Sequence, residues 1–365
     1  METGAEIREQ PPKSSFQLQT PREFRDDFVT QAIKAQDRVG LETMQYELCD
    51  ETLPIFDSLL NSRASSVRFH SDRVAGRHIA VGNSRATVLK GVVFPYRGGE
   101  WRALQKASKE REALARTLKE KGIGFEGGNT GLFRHNHVKL AVADDIAWFG
   151  TMNLRALDFQ ISNFMMRVED PHWVGVLKDI FDQAEEPREA IDQIFKKEVN
   201  GDTELLLDAG ERKQSAIFQR AHEMVKSMKE GDEFVYVGQW PPVRVMMGSL
   251  LDEMQAKADE GVKGTFLMSP EDELHPIGRV SRYLQRKVGE QYAANPNIST
   301  ENLPVGTHAK ILMIKRADGS REALFGSHNL TSWTVRNGTR ELSMWTKNPD
   351  ITTQIDGFIG SISGR

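Results

Sequence analysis

The chain has 365 residues, with 48 Lys and Arg against 52 Asp and Glu, for a formal net charge of −4 and a pI of about 6.2. That balance excludes a polycationic nucleic-acid packager as the global description, and the single cysteine, Cys49, excludes a disulfide framework or a Cys-rich metal centre. No window reaches the roughly 18 apolar residues that a spanning helix needs. The N-terminus lacks the apolar core of a secretory signal, so a cytoplasmic protein is expected, with peripheral membrane contact left open.

Residues 1–24 are polar, carry Pro11, Pro12 and Pro21, and read as a flexible lead-in within a polar extension over 1–40. A helix is expected over 24–37, a strand over 43–48, a helix over 50–61 with Asp50 as its N-cap, and a strand over 66–70. A strand over 91–96 is weakened at its end by Pro95. An Ala-, Leu-, Lys- and Glu-rich helix over 101–121 closes at Gly122. Two short strands, 138–142 and 146–149, flank the acidic turn at Asp144 and Asp145. An acidic helical connector spans 170–210. Helices are then expected over 213–229, 245–261 and 277–293, and strands over 233–237, 264–268, 309–314, 322–325 and 340–345, with an Asp318-Gly319 turn between two of them.

The order strand–helix–strand–helix–strand–turn–strand thus occurs twice, over 41–169 and over 211–365. It predicts an α/β fold of two similar halves with mixed sheets.

The duplication carries a repeated motif. The first copy reads His137-Val138-Lys139, then Asp144, then Gly150-Thr151-Met152-Asn153. The second reads His308-Ala309-Lys310, then Gly326-Ser327-His328-Asn329. On an extended segment residues i and i+2 face the same way, so each His stands beside its Lys. Two such pairs suit phosphoryl chemistry. One imidazole attacks phosphorus, the other protonates the leaving oxygen, and the lysines neutralise the non-bridging oxygens. The Asn amides and the hydroxyls of Thr151 and Ser327 add hydrogen bonds to substrate. The scheme needs no metal and no cofactor.

The pattern resembles the phospholipase D superfamily, whose motif is His-x-Lys-x4-Asp followed by Gly-Ser-x-Asn, twice in one chain. The resemblance covers roughly 41–365. It implies two α/β halves packed about a pseudo-two-fold axis, an active site at their interface, and a two-step reaction through a covalent phosphohistidine. The catalytic set it implies is His137, Lys139, Asp144, Asn153, His308, Lys310, Asn329 and Glu341. Lys315 stands where the second copy should carry its Asp. Glu341 fits the acid that in the family orients the His of the opposite half, which would be His137. That makes His137 the nucleophile and His308 the acid and base. The matching stretch of the first half, Ser162-Asn163-Phe164-Met165, has no carboxylate; that absence and Lys315 motivate a rival reading as a weakly active member or one that only binds anionic lipid or nucleic acid.

His135 lacks a Lys two residues on, His328 fills the motif's variable position, and Trp148, Trp333 and Trp345 read as core packing before substrate contacts. Residues 61–140 hold 16 Lys and Arg against 6 acids, whereas 168–208 hold 4 against 12. A basic stretch beside a phosphodiester site suits an anionic lipid or a nucleic acid. The expected function is phospholipid hydrolysis or phosphatidyl transfer of the cardiolipin-synthase kind, with a nuclease of the same superfamily as the alternative. The oligomeric state is open, because the duplicated chain supplies both half-sites.

Overall fold

Two mixed β-sheets carry the chain, one for each half. The computed structural model describes residues 15–72, 109–110, 112–127, 136–184, 195–199, 201–270, 286–288, 290, 292 and 295–364. The strand expected over 91–96, the start of the helix over 101–121, most of the helix over 277–293, and His135 lie outside the described residues. Residues 112–120 are helical as expected.

The first sheet runs in the order β1 (Phe16–Gln19), β7 (Met165–Val168), β6 (Ile146–Gly150), β5 (Leu140–Ala143), β2 (Arg38–Thr43), β3 (Ser66–Asp72), β4 (Gly124–Gly127). The second runs β8 (Phe195–Val199), β9 (Thr203–Ala209), β15 (Arg340–Thr346), β14 (Arg321–Gly326), β13 (Ile311–Lys315), β10 (Glu233–Gly238), β11 (Lys263–Met268), β12 (Ile298–Asn302). With β8 set aside, the two sheets match strand for strand. Both are parallel through the β2–β3–β4 or β10–β11–β12 triplet and antiparallel elsewhere. The duplication read from element order is therefore a duplication of topology.

Each half begins earlier than the sequence suggests. Phe16–Gln19 pairs with β7, and α1 (Pro21–Lys34) follows it at once, so residues assigned to a polar extension belong to the first half. α1 opens on a capping box: Thr20 Oγ1 accepts from the Glu23 amide, Glu23 returns the bond to the Thr20 amide, and Pro21 sits in the first turn. The connector is likewise not a linker of helices. It holds α3 (Pro171–Gln183), but then β8 and β9, and β9 lies inside the second sheet against β15. β2 is centred some residues before the expected 43–48, and α2 (Leu53–Asn61) starts after Thr52 rather than Asp50.

α1 and α2 cover the outer face of the first sheet, and α4 (Ala216–Lys226) and α6 (Ser249–Asp259) that of the second. The inner faces meet. Leu140, Val142, Phe149 and Phe164 of one half and Ile311, Met313, Phe325 and Leu342 of the other share a single buried core with α3 and α8 (Pro349–Ser363). Phe149 and Phe325 are the same position in the two halves, each just before a motif glycine. Their rings stack on one another with centroids 6.0 Å apart and planes at 15°.

This places the interface energy in the same strands that carry the motifs. Phe325→Ala should lower the unfolding free energy by about 3–5 kcal/mol, and Phe149→Ala by a similar amount. Because the rings touch, the double variant should lose less than the sum. Urea denaturation of the four proteins measures this; strict additivity would mean that the two rings do not stabilise one another across the interface.

Candidate active site

The two His-x-Lys segments lie in the extended lead-ins to β5 and β13, just outside the strands. Each crosses to the opposite half. The His137 amide donates to Arg340 O (2.8 Å) at the start of β15, and the His308 amide donates to Ser162 O (3.1 Å) just before β7. Within its own half each segment pairs with the second motif: Gly150 N donates to Lys139 O (3.2 Å) and Gly326 N to Lys310 O (3.4 Å). On the far side of that motif, Thr151 N donates to Phe164 O (3.1 Å) and Ser327 N to Leu342 O (2.8 Å). The motif glycine is required here. A Cβ on Gly150 would sit 2.4 Å from Phe164 O, and one on Gly326 2.3 Å from Leu342 O, with Gly326 also at φ +152°.

Both imidazoles are held by a carboxylate from the other half. Glu341 Oε2 lies 2.8 Å from His137 Nδ1. Asp158 Oδ1 lies 3.1 Å from His308 Nδ1. The first half thus does have an acid, contrary to the sequence reading. It comes from the short 3₁₀ turn Ala156–Phe159, five residues after Asn153, instead of from the strand position that Glu341 uses. That strand position is Asn163, which donates to the Asp158 carbonyl (3.0 Å). Asp158 also accepts from the Asn153 amide (3.0 Å) and from Arg155 Nε (2.7 Å).

The structure brings His137, Lys139, Asn153, His308, Lys310, Asn329 and Glu341 to this interface and separates others from it. Asp144 is at the opposite end of β5, in the turn to β6. Its carboxylate accepts from the backbone amides of Gln36, Asp37 and Arg38 (2.8–3.1 Å) and so ties that turn to the start of β2. The second half makes the same tie with the partners exchanged: Asp232, just before β10, accepts from the Ala317 amide (3.0 Å) in the β13–β14 turn and from Arg316 (2.9 Å). Lys315 accordingly stands at the far end of β13 from Lys310, where it pairs with Asp356. Thr151 and Ser327, expected to touch substrate, are fully buried and turn inward. Ser327 donates to Glu341 Oε2, and Thr151 donates to Asn163 Oδ1 (3.2 Å). They orient the acid position of the neighbouring strand.

Four buried cations and acids share the site. Lys139 and Lys310 each donate to the carbonyl of their own motif His, both at 2.5 Å. Burial pushes the Lys139 ammonium down to about 8, against the pull of Glu341 and Asp158. Burial and the neighbouring Lys139 push Lys310 well below its usual range. Burial and Lys310 take His308 down to about 3 despite Asp158. Burial pulls Asp158 upward, but Arg155, His308 and the Asn153 amide outweigh it and keep the carboxylate ionised. Burial raises Glu341, opposed by His328, Lys139 and Ser327. The Asn153 and Asn329 side-chain oxygens are buried without a hydrogen-bond partner within the protein.

Sequence reasoning missed Asp158, Asp208 and the Glu42–Arg340 pair. Asp208, on β9, lies directly opposite Glu341 on β15, accepts from Ser215 Oγ and the Ala216 amide, and is raised to about 7 by burial. Glu42 on β2 receives Arg340 and the Asn136 side chain (2.6 Å), so a buried cluster of both halves clamps the residue before His137. The second half uses a neutral version: Thr307 Oγ1 donates to Ser162 O (2.8 Å) before His308. Among the described residues, no group of three or more His, Cys, Asp or Glu could hold a metal. Among the same residues no helix is long and apolar enough to cross a membrane.

No family model and no curated protein matches the sequence. Solved structures do. The chain is similar to phosphatidylserine synthase of Haemophilus influenzae, at 11% identity and a TM-score of 0.69, covering 95% of this chain and 86% of that one. It is similar to polyphosphate kinase of Porphyromonas gingivalis, at 13% identity and 0.55, covering 94% of this chain but 49% of that one. A yeast tyrosyl-DNA phosphodiesterase 1 mutant matches at 12% identity and 0.52, covering 91% and 89%. All three are phospholipase D superfamily members, and the chain has the fold they share.

The buried clamp should be sensitive to removal of one partner. Arg340→Leu strands the Glu42 carboxylate and should lower stability by about 3–5 kcal/mol, whereas Glu42→Leu/Arg340→Leu should recover much of the loss. Urea unfolding of the single and double variants checks this; equal losses would show that no uncompensated charge was left behind.

Proposed function

We propose that the chain is a phospholipase D-type phosphodiesterase acting on phospholipids, by hydrolysis or by phosphatidyl transfer. The observation that carries the reading is the reciprocal pair, His137 with Glu341 and His308 with Asp158, each made across the interface. A carboxylate on Nδ1 fixes the imidazole tautomer and makes Nε2 the reacting nitrogen, and two such imidazoles are what a double displacement at phosphorus needs.

In the first step His137 Nε2 attacks phosphorus. The bond to the leaving oxygen breaks, and His308 gives that oxygen its proton. In the second step His308 takes a proton from water or an acceptor alcohol, the new P–O bond forms and the P–N bond breaks. In the free protein His308 is neutral. A bound phosphodiester anion offsets Lys310, and the ionised Asp158 then supports the imidazolium that the first step uses. Lys139 and Lys310 face the charge that builds on the phosphoryl oxygens, and the Asn153 and Asn329 amides complete the cradle. The two departures that motivated a binding-only reading both have structural counterparts, Asp158 for the missing acid and Asp232 for the missing Asp. The lipid preference is supported by the likeness to phosphatidylserine synthase over most of both chains.

Purified protein incubated with phosphatidylglycerol, phosphatidylcholine or single-stranded DNA, with and without EDTA, tests the reading. Lipid turnover that survives EDTA is expected; cleavage of DNA alone would give the site to a nuclease. His137→Asn and His308→Asn should each lower kcat by at least about 10²–10⁴-fold. On a substrate with a good leaving group, denaturing His308→Asn at alkaline pH, where a P–N bond survives, should trap the phosphatidyl group on His137; label on residue 308 of the wild type would reverse the two roles.

The pH profile follows from Lys139. Below about pH 8 it is an ammonium, and above it loses its charge. Activity should fall as pH rises through this value. Bound anionic substrate favours the ammonium, so kcat/KM, which reports the free enzyme, should fall at lower pH than kcat. A kcat/KM flat to pH 10 would remove Lys139 from the charge stabilisation.

A further inference from the structure

Among the described residues six large apolar side chains are exposed: Ile33, Leu53, Leu157, Val245, Val305 and Trp333. Four of them gather around the site. Leu157 and Trp333 occupy the same place in the two halves, four residues beyond Asn153 and Asn329, and are 37% and 57% exposed. Val305, 41% exposed, comes three residues before His308. Its neighbour Gly306 accepts from the Ser162 amide (2.8 Å), and Leu157 O accepts from Ile161 N (3.1 Å), so Val305 and Leu157 sit on adjoining loops. Val245, 72% exposed, lies on α5 (Arg244–Met247). Trp333 is on α7 (Ser332–Asn337), which Ser332 fastens to α5 by donating to Met246 O (2.9 Å).

Isolated exposed apolar residues need no explanation, but four on the segments that carry one site do. The charge around them is also biased. Arg336 is one turn from Trp333, and Lys213, whose amide donates to Val335 O (2.8 Å), brings exposed Arg212 and itself to the same helix. Arg244 is exposed and pairs with Asp252 (3.2 Å). Among the described residues around Trp333 and Val245 the acids are Asp252 and the half-buried Glu211, against four cations; at the Leu157 edge Glu47 accepts from the Ala156 amide (3.4 Å).

We propose that this rim is a membrane-docking surface that seats the site on an anionic bilayer. Trp333 and Val245 enter the boundary between headgroups and acyl chains, Leu157 and Val305 follow at the other edge, and Arg212, Lys213 and Arg336 meet acidic headgroups. An amphipathic Trp with flanking cations is the chemistry that holds a protein at that depth. The inference rests on the lipid reading of the site and adds where and how the lipid surface is met.

The full chain is sedimented with vesicles of phosphatidylglycerol mixed with phosphatidylcholine, and with vesicles of phosphatidylcholine alone. The wild type should bind the mixed vesicles and not the neutral ones. Trp333→Ala/Val245→Ser should lose at least tenfold in binding and in vesicle turnover, while turning over monomeric short-chain phosphatidylglycerol as the wild type does. Arg212→Glu/Arg336→Glu should lose the preference for phosphatidylglycerol. Circular dichroism confirms that the variants are folded. Equal sedimentation of wild type and the Trp333 variant overturns the proposal, as does a wild type that ignores vesicles but binds single-stranded DNA through Arg212 and Arg336. Vesicle binding that depends on Trp333, with no turnover of short-chain lipid, keeps the docking surface and overturns the catalytic reading instead.

Discussion

The structure depends on a reciprocal exchange across one interface. Each half supplies a His-x-Lys segment that leaves its own sheet to hydrogen-bond the backbone of the other, and each half supplies the carboxylate that orients the other's imidazole. Two lysines, two histidines and two acids are thereby buried together. Taking such groups out of water is costly unless every charge finds a partner with good geometry. Here the partners come from opposite halves, so the charges are compensated only when the interface is closed. The shared apolar core with the Phe149–Phe325 stack supplies the closing force, and the polar cluster fixes the register. A half alone would expose that apolar face and strand a His, a Lys and an acid.

The motif residues divide by what they touch. The histidines, lysines and asparagines face the centre. The glycines admit a neighbouring carbonyl that a Cβ would exclude, and the hydroxyls of Thr151 and Ser327 hold the acid position of the next strand. The Asp of the first motif does something different again: Asp144 fastens a turn to the base of the central strand, some distance along β5 from Lys139. The second half keeps that fastening with the carboxylate on the other partner, Asp232, while Lys315 stands in the Asp position and pairs with Asp356.

The His-x-Lys and Gly-x-x-Asn segments were legible because their chemistry is local: residues two apart on an extended chain share a side, whatever the rest of the fold does. So was the duplication, since four strands of each half, β2, β3, β5 and β6 in one and β10, β11, β13 and β14 in the other, are apolar enough to be seen. The second acid was not legible. Asp158 reaches His308 from a 3₁₀ turn, a place with no periodicity to mark it, while Asn163 fills the strand position where an acid was sought. β1 and β9 were hidden for another reason. Phe16–Gln19 is four residues long and alternates with polar side chains, and β9 lies in a stretch whose acidic composition reads as a connector. Both are strands because a partner strand completes their hydrogen bonds, which is a tertiary fact.

The two halves agree in where donors and acceptors stand and not in which residues supply them. The segment before His137 is fixed by an ion pair, Glu42 with Arg340, bridged through Asn136; the segment before His308 is fixed by a hydroxyl on a carbonyl, Thr307 on Ser162. The ionic version adds a buried acid near Lys139, and Glu42 accordingly helps to hold the Lys139 ammonium, an influence Lys310 does not feel to the same degree. Burial and the like charge of Lys139 lower Lys310. The pseudo-symmetry of the backbone therefore carries different polar groups behind the two motifs, an ion pair on the His137 side and a hydroxyl on the His308 side. The two imidazoles thus differ in what surrounds them through those clamps and through their unlike carboxylates, Glu341 and Asp158, instead of through the motifs themselves.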